Sequence, residues 1–267
     1  MSADIQHYLD VALEAVAQAR EVLLAHRGAA PALFKGKGDF ATEADLAIEA
    51  LLREHLRRET GINVFGEENG GEFTPEACWV LDPIDGTSNY SAGNPNCAIL
   101  VSLVLEGQPV VAVVDMPLLG LHVSACAGGP VVCNGEVLPP LEDTGGQGRA
   151  AQVGVGSVGS DDRVRFPAPL RLALIGLLAD GPLRPRISGS VGVDLAFVAL
   201  GIYRAAVSFS PYVWDNAAGV LLARCAGAIV TDVDGGPWTP ESVGAIVGAP
   251  SAHETVLSSM LHISANT

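Results

Sequence analysis

The chain has 267 residues, 49% of them hydrophobic and 17% charged, a globular composition that excludes polar disorder. Its 15 Lys and Arg against 30 Asp and Glu give a formal charge of -15, which repels a nucleic-acid polymer or an anionic membrane. The opening "MSADIQHYLD" has no basic-then-apolar leader pattern, no uncharged apolar run is long enough to span a bilayer, and the five cysteines (Cys78, Cys97, Cys126, Cys133, Cys225) form no CxxC pair, so a cytoplasmic protein with free thiols is expected.

Apolar residues at Ile5, Leu9, Ala12, Leu13, Val16 and Leu23 predict a first helix from Ile5 to His26, ended by Gly28 and Pro31. A second is predicted from Thr42 to Glu59, with Thr42 and Asp45 forming a capping box in which Asp takes the usual Glu place. "INVFGEE" and "CWVLDPID" then read as short buried strands that stop at acidic residues. "CAILVSLVLEGQPVVAVVDMP" predicts a hairpin around Glu106–Pro109, and "GLHVSACAGGPVVCNGE" two more strands with a turn at Asn134-Gly135. Residues 139–148 read as an exposed connection. Helices over Leu170 to Leu178 and Val191 to Leu200, a strand in "RAAVSFS", a helix in "WDNAAGVLLARCAG", the short run "GAIVG" and a helix over Ala252 to Leu261 complete the chain. With no repeat and no Pro- or Ser-rich tether, the expected organisation is an α+β lobe over residues 1–139 and an α/β lobe over residues 140–267.

One motif is a decoy. "GVGSVG", Gly154 to Gly159, matches GxGxxG, but a dinucleotide site needs a helix directly after it, and "SDDRVRFPAP" is a poor helix opening. Neither Ser157 nor Ser160 stands in a nucleophile-elbow context, and the six histidines show no metal-ligand spacing.

Four pieces carry the chemistry: "KGDFATEAD", "GEE", "DPIDGT" and "WDNAAG". Three of them put carboxylates at a strand end or a helix start. Anions gathered this way need a positive charge among them, and oxygen-only ligands suit a hard divalent cation such as Mg2+ with phosphate completing its shell. Within "DPIDGT", Asp82 can bridge two ions, the Ile84 carbonyl can ligate one, and Asp85, turned by Pro83, can hold the second. Gly86 and Thr87 then open a turn whose free N–H groups suit phosphate oxygens, with the Thr87 hydroxyl placed to orient a water.

These pieces, in this order along essentially the whole chain, resemble the inositol monophosphatase-like superfamily of Mg2+-dependent, lithium-sensitive phosphatases, to which "GS" in "RISGSVGVDLAFVALG" also corresponds. The resemblance implies an α/β (α+β) fold, the layered α/β/α/β/α sandwich shared with fructose-1,6-bisphosphatase, commonly as a homodimer. It implies two or three Mg2+ ions held by Glu67, Asp82, the Ile84 carbonyl, Asp85 and Asp215. Catalysis would use Glu67 and Thr87 to position the attacking water, with Asp45 supporting Thr87; the Gly86 and Thr87 amides would bind phosphate and the Gly189-Ser190 pair the substrate side. The ions would also reconcile an acidic chain with an anionic substrate.

The substrate side departs from the pattern at one position. Seven residues before the WD aspartate, inositol-hydrolysing members usually carry a Glu that contacts a sugar hydroxyl; here Ser208 stands there, a weaker acceptor. The expected substrate is therefore a small phosphorylated metabolite, inositol monophosphate or a related sugar or nucleotide phosphate. Lys35 or Lys37 of "KGKGD" could meet an anionic group, Glu68 has an outer-sphere role as one reading, and Trp214 reads as core packing. Asp215 could also cap its helix. The alternative from another class is a silent metal- or phosphate-binding scaffold or regulator with the same fold, against which the intact set Glu67, Asp82, Asp85, Thr87 and Asp215 argues.

Overall fold

A computed structural model describes residues 2–36, 39–143, 151–159 and 165–265; Lys37, Ser160 and residues 144–148 of the expected connection lie outside the described residues. Helix α1 (Ser2–Ala25) is followed by strands β1 (Pro31–Gly36) and β2 (Asp39–Thr42) and helix α2 (Glu43–Thr60). Both halves of the expected capping box form: the Thr42 hydroxyl accepts the Ala44 N–H, and Asp45 accepts from the Thr42 N–H at 2.8 Å. Next come β3 (Asn63–Gly66), β4 (Ala77–Asp85), the one-turn α3 (Thr87–Ser91), β5 (Ala98–Leu105), β6 (Gln108–Met116), β7 (Leu121–Cys126), β8 (Val132–Cys133) and β9 (Glu136–Val137). These strands lie in the order 3-4-5-6-7-8-9, antiparallel except for the parallel β3–β4 pair. Both hairpin turns read from the sequence put their first residue at positive φ, Glu106 at 50° and Asn134 at 50°, each with Gly next, as two-residue turns between twisted strands require.

The second half contains β10 (Gln152–Val155), α4 (Ala168–Asp180), β11 (Arg184–Arg186), α5 (Val191–Ala199), β12 (Ala205–Ser208), α6 (Val213–Cys225), β13 (Ile229–Thr231), β14 (Ala245–Gly248) and α7 (Pro250–Ala265). Its five strands order as 11-10-12-14-13, with β10 parallel to β11 and β12, and β14 antiparallel to β12 and β13.

Alternation along the strands builds the layers. Ile99, Val101 and Leu103 of β5 join a core with Ile48, Leu52 and Leu56 of α2 and Ala12, Val16 and Ala19 of α1, whereas Ala98 and Leu100 pack with Val193 and Ala196 of α5 and Ala218 and Leu222 of α6. On the second sheet Ala206 and Val247 face Leu195 and Ala223 of that same helix pair. Ala205, Val207 and Ile246 face Leu174 of α4 and Val256 and Met260 of α7. The result is α1/α2, a seven-stranded sheet, α5/α6, a five-stranded sheet and α4/α7: the α/β/α/β/α sandwich that the resemblance implies.

The central helix pair packs at van der Waals limit. A Cβ on Gly219 of α6 would lie 2.4 Å from the Leu195 Cβ of α5, so no side chain fits there without separating the helices. Gly219→Ala is expected to lower unfolding free energy by about 1–3 kcal/mol, read from a shifted denaturant midpoint at unchanged slope.

Candidate active site

The acidic corner is a product of strand register. Asp82 of β4 pairs with Leu100 of β5, yet Asp85 pairs with Ala98, so three steps on β4 oppose two on β5. Residues three apart on a regular strand point to opposite faces; the extra residue at Pro83-Ile84 is a β-bulge that brings both aspartates to one side. Asp215, third in the first turn of α6, meets them there, and the three carboxylates offer oxygens all within 4.8 Å of one another. The helix cap position belongs to Tyr212, without a side-chain cap bond, so Asp215 is not the N-cap considered above.

A cavity of about 200 Å³ opens on this cluster, lined by Glu67, Asp82, Ile84, Asp85, Gly86, Thr87, Asp215, Phe40 and Ser88. Asp45 stands behind it, buried, its Oδ1 3.3 Å from the Thr87 Oγ1, which also lies 3.0 Å from the Ile84 carbonyl. At Gly86 φ is +84°, and a Cβ there would meet the Asn96 carbonyl at 2.9 Å, so the turn between strand and helix requires glycine.

The electrostatics call for a cation. Burial, reinforced by Glu67, Asp85 and Asp215, pushes the Asp82 carboxyl well above its ordinary range. Burial and then Asp85 push Asp215 up to about 8. Asp85 rises to about 6 through burial, although the Ser190 Oγ donates to its Oδ2 at 2.5 Å and the Gly192 and Val191 N–H groups donate to it from the start of α5. Asp82 Oδ1 is buried with no hydrogen-bond partner among the described residues. An orphaned oxygen on an aspartate gathered with two further carboxylates, in an all-oxygen donor set, fits a hard divalent cation.

Glu67 follows β3, and its neighbourhood is pinned from α2: the buried Glu49 carboxylate accepts the Glu68 N–H at 2.7 Å and the Asn69 N–H at 2.9 Å. Lys35 reaches both Glu67 and Glu68, at 2.8 and 2.6 Å. Burial pulls against its charge, but the hydrogen bonds to the two glutamates hold the ammonium above its ordinary pKa. Glu68, raised to about 7 chiefly by burial, thus pairs with lysine rather than lining the cavity.

A second cavity of about 420 Å³ adjoins the first through shared Asp85 and Asp215. Gly189 and Ser190 line it, as do Gly156, Ser157 and Gly159, so the GxGxxG decoy serves as wall. Ser208 does not line it: the residue is buried and its Oγ accepts the Ser210 N–H at 3.2 Å. The lining residues not anticipated include Arg171, Asp194, Phe209, Ser210 and Tyr212. A lone Arg in "APLRLALIGLLAD" and a lone Asp in "VGVDLAFVA" were the available signals. Trp214 stacks on Tyr212 at 4.6 Å between centroids and packs against Phe65, consistent with a packing role.

The model of the inositol monophosphatase family matches residues 4–264. The chain belongs to the inositol monophosphatase family. Among curated members it is 47% identical over 236 residues to the probable inositol 1-monophosphatase ImpA of Mycobacterium tuberculosis, covering 88% of this chain and 86% of that protein. It is 44% identical over 252 residues to the inositol-1-monophosphatase ImpA of Mycolicibacterium smegmatis, covering 91% and 90%. An IMPase of Thermotoga maritima superposes with a TM-score of 0.85 at 26% identity over 97% of this family member and 98% of that structure. No described helix of this family member is long and apolar enough to cross a membrane.

Proposed function

We propose that this family member is a Mg2+-dependent phosphomonoesterase that hydrolyses a small phosphorylated metabolite of the inositol monophosphate kind. The observation that carries the reading is the three-carboxylate cluster with its orphaned Asp82 oxygen, set beside the Thr87–Asp45 contact in one cavity. Asp82, Asp85, Asp215, Glu67 and the Ile84 carbonyl are the residues to hold two or three ions. Bound there, divalent cations supply Lewis acidity toward phosphoryl oxygens and water.

The protein's own groups do the positioning. Asp45 lies behind the Thr87 hydroxyl and orients it, so that Thr87 and Glu67 hold the attacking water. The Gly86 and Thr87 amides face the phosphate. Gly189 and Ser190 shape the substrate side, although the Ser190 hydroxyl already donates to Asp85. The silent-scaffold alternative is disfavoured by the gathering of Asp82, Asp85 and Asp215, with Glu67 lining the same cavity.

The same reading includes a cytoplasmic location with no nucleic-acid polymer or membrane as partner, supported by the charge of -15 and the free thiols, and a homodimer, for which the support is the family resemblance. It includes a division near residues 139 and 140, supported by sheets that draw their strands from either side. The purified protein with millimolar Mg2+ is expected to release phosphate from inositol 1-phosphate, to stop with excess EDTA and to resume with excess Mg2+. Failure to cleave any ester in a panel of inositol, sugar, nucleotide and histidinol phosphates would overturn the reading.

A further inference from the structure

The larger cavity holds a positive charge that no carboxylate among the described residues answers. Arg171, near the start of α4, is only 7% exposed. Its Nε donates to the Phe166 carbonyl at 2.7 Å, its Nη1 to the Ser157 carbonyl at 2.5 Å, and its guanidinium carbon lies 4.7 Å from the Phe209 ring centroid. These contacts fix the plane of the guanidinium and bring no negative charge to it. Among the described residues no carboxylate forms an ion pair with Arg171 and no acceptor meets its Nη2. Arg171 lines the larger cavity. Among the described residues Arg171 is the one Lys or Arg in that lining.

A buried cation without a counter-charge is unfavourable unless a ligand supplies the anion, and a guanidinium is donor-only, so its partner must accept. The other charged-type side chains of the lining do not fill this role. Asp85 and Asp215 belong to the metal corner, and burial lifts Asp194 to about 8, which leaves it mainly protonated at neutral pH. The position that would read a neutral polyol with a carboxylate is Ser208, buried outside the lining. The described lining thus presents a fixed donor, and Ser208 contributes no acceptor to it.

We propose that Arg171 is a specificity residue: it binds a second anionic oxygen group, phosphate or carboxylate, carried by the leaving alcohol of the substrate, while the scissile phosphate occupies the adjoining smaller cavity. The inference rests on the phosphomonoesterase reading and adds the chemical class of the leaving group. A cavity of about 420 Å³ is of the size that takes a sugar-sized group with its substituent.

The test compares esters that differ in one anionic group, using the Mg2+-loaded enzyme. The phosphate arm sets fructose 1,6-bisphosphate against fructose 1-phosphate, and the carboxylate arm sets 2-phosphoglycerate against glycerol 2-phosphate. In at least one arm the wild type is expected to favour the anion-bearing ester in kcat/KM by about tenfold or more, mainly through KM. Arg171→Met should cut that preference to below about threefold, and Arg171→Lys should retain part of it. Which arm responds identifies the anion. A wild type without the preference in either arm overturns the proposal and needs no variant to fold; so does Arg171→Met lowering both members of a pair by the same factor, the signature of a wall residue. A wild type that cleaves none of the four esters, nor any in the wider panel, instead sinks the phosphomonoesterase reading on which the proposal stands.

Discussion

Asp85→Asn is expected to lower kcat/KM for phosphate-ester hydrolysis by about a thousandfold or more, since even outer-sphere partners of a metal site are worth about 10- to 100-fold. Two jobs converge on this carboxylate. It is one of the three carboxylates that gather within 4.8 Å, and it accepts the first hydrogen bonds of α5 from Ser190 Oγ, Gly192 N and Val191 N. Asparagine keeps the shape but removes the charge and turns one acceptor into a donor facing other donors. Asp215→Asn separates the two jobs, because Asp215 shares the cluster without accepting from α5. Both variants losing activity while circular dichroism shows a native fold identifies the charge as the cause. Asp85→Asn alone losing it would shift the cause to a displaced α5, and activity within tenfold of wild type in both would remove the cluster from the chemistry.

The catalytic corner was legible because its local chemistry is unusual. An acid–Pro–x–acid–Gly–Thr run ending an apolar strand has few structural uses, and the bulge at Pro83-Ile84 gives its spacing a geometric meaning. The capping box and the two hairpin turns were legible for the same reason, since each is set by residues within four positions of one another.

What escaped was set at long range. β1 and β2 are not predicted by the sequence, because six and four residues with Gly36 among them carry little strand pattern until they pair with each other. β11 and β13, three residues each, exist only through their neighbours β10 and β14. Ser208 sits at the family's position, but strand alternation places it with Ala206 rather than Val207, and the Ser210 N–H takes up its hydroxyl oxygen. His122 had no partner in the sequence; the β6–β7 register sets it opposite Asp115, 3.0 Å from the carboxylate, with Arg20 of α1 on the same oxygen. Arg171 was one cation in an apolar helix, and only the fold shows that it lines the larger cavity with no described carboxylate paired to it.

The same carboxylates make stability depend on pH in a direction that Mg2+ should reverse. An aspartate in an unfolded chain titrates near 4, whereas in the metal-free fold Asp85 is raised to about 6 and Asp215 to about 8 by burial and mutual repulsion. Between those values the folded protein binds more protons than the unfolded one, so stability from this cluster is lost as pH rises from about 4 to about 8. Divalent cations replace the missing protons and bind the native state selectively. Mg2+ at millimolar concentration is therefore expected to raise the thermal midpoint by several degrees more at pH 8 than at pH 5, a difference of about 5 °C. Asp215→Asn sharpens the test: with one repelling charge removed, the metal-free variant should melt above metal-free wild type at pH 8, while its response to Mg2+ shrinks and its activity disappears. Equal Mg2+ shifts at both pH values, or a metal-free Asp215→Asn variant that melts below wild type at pH 8, would mean that the cluster is not a site strained for want of cations.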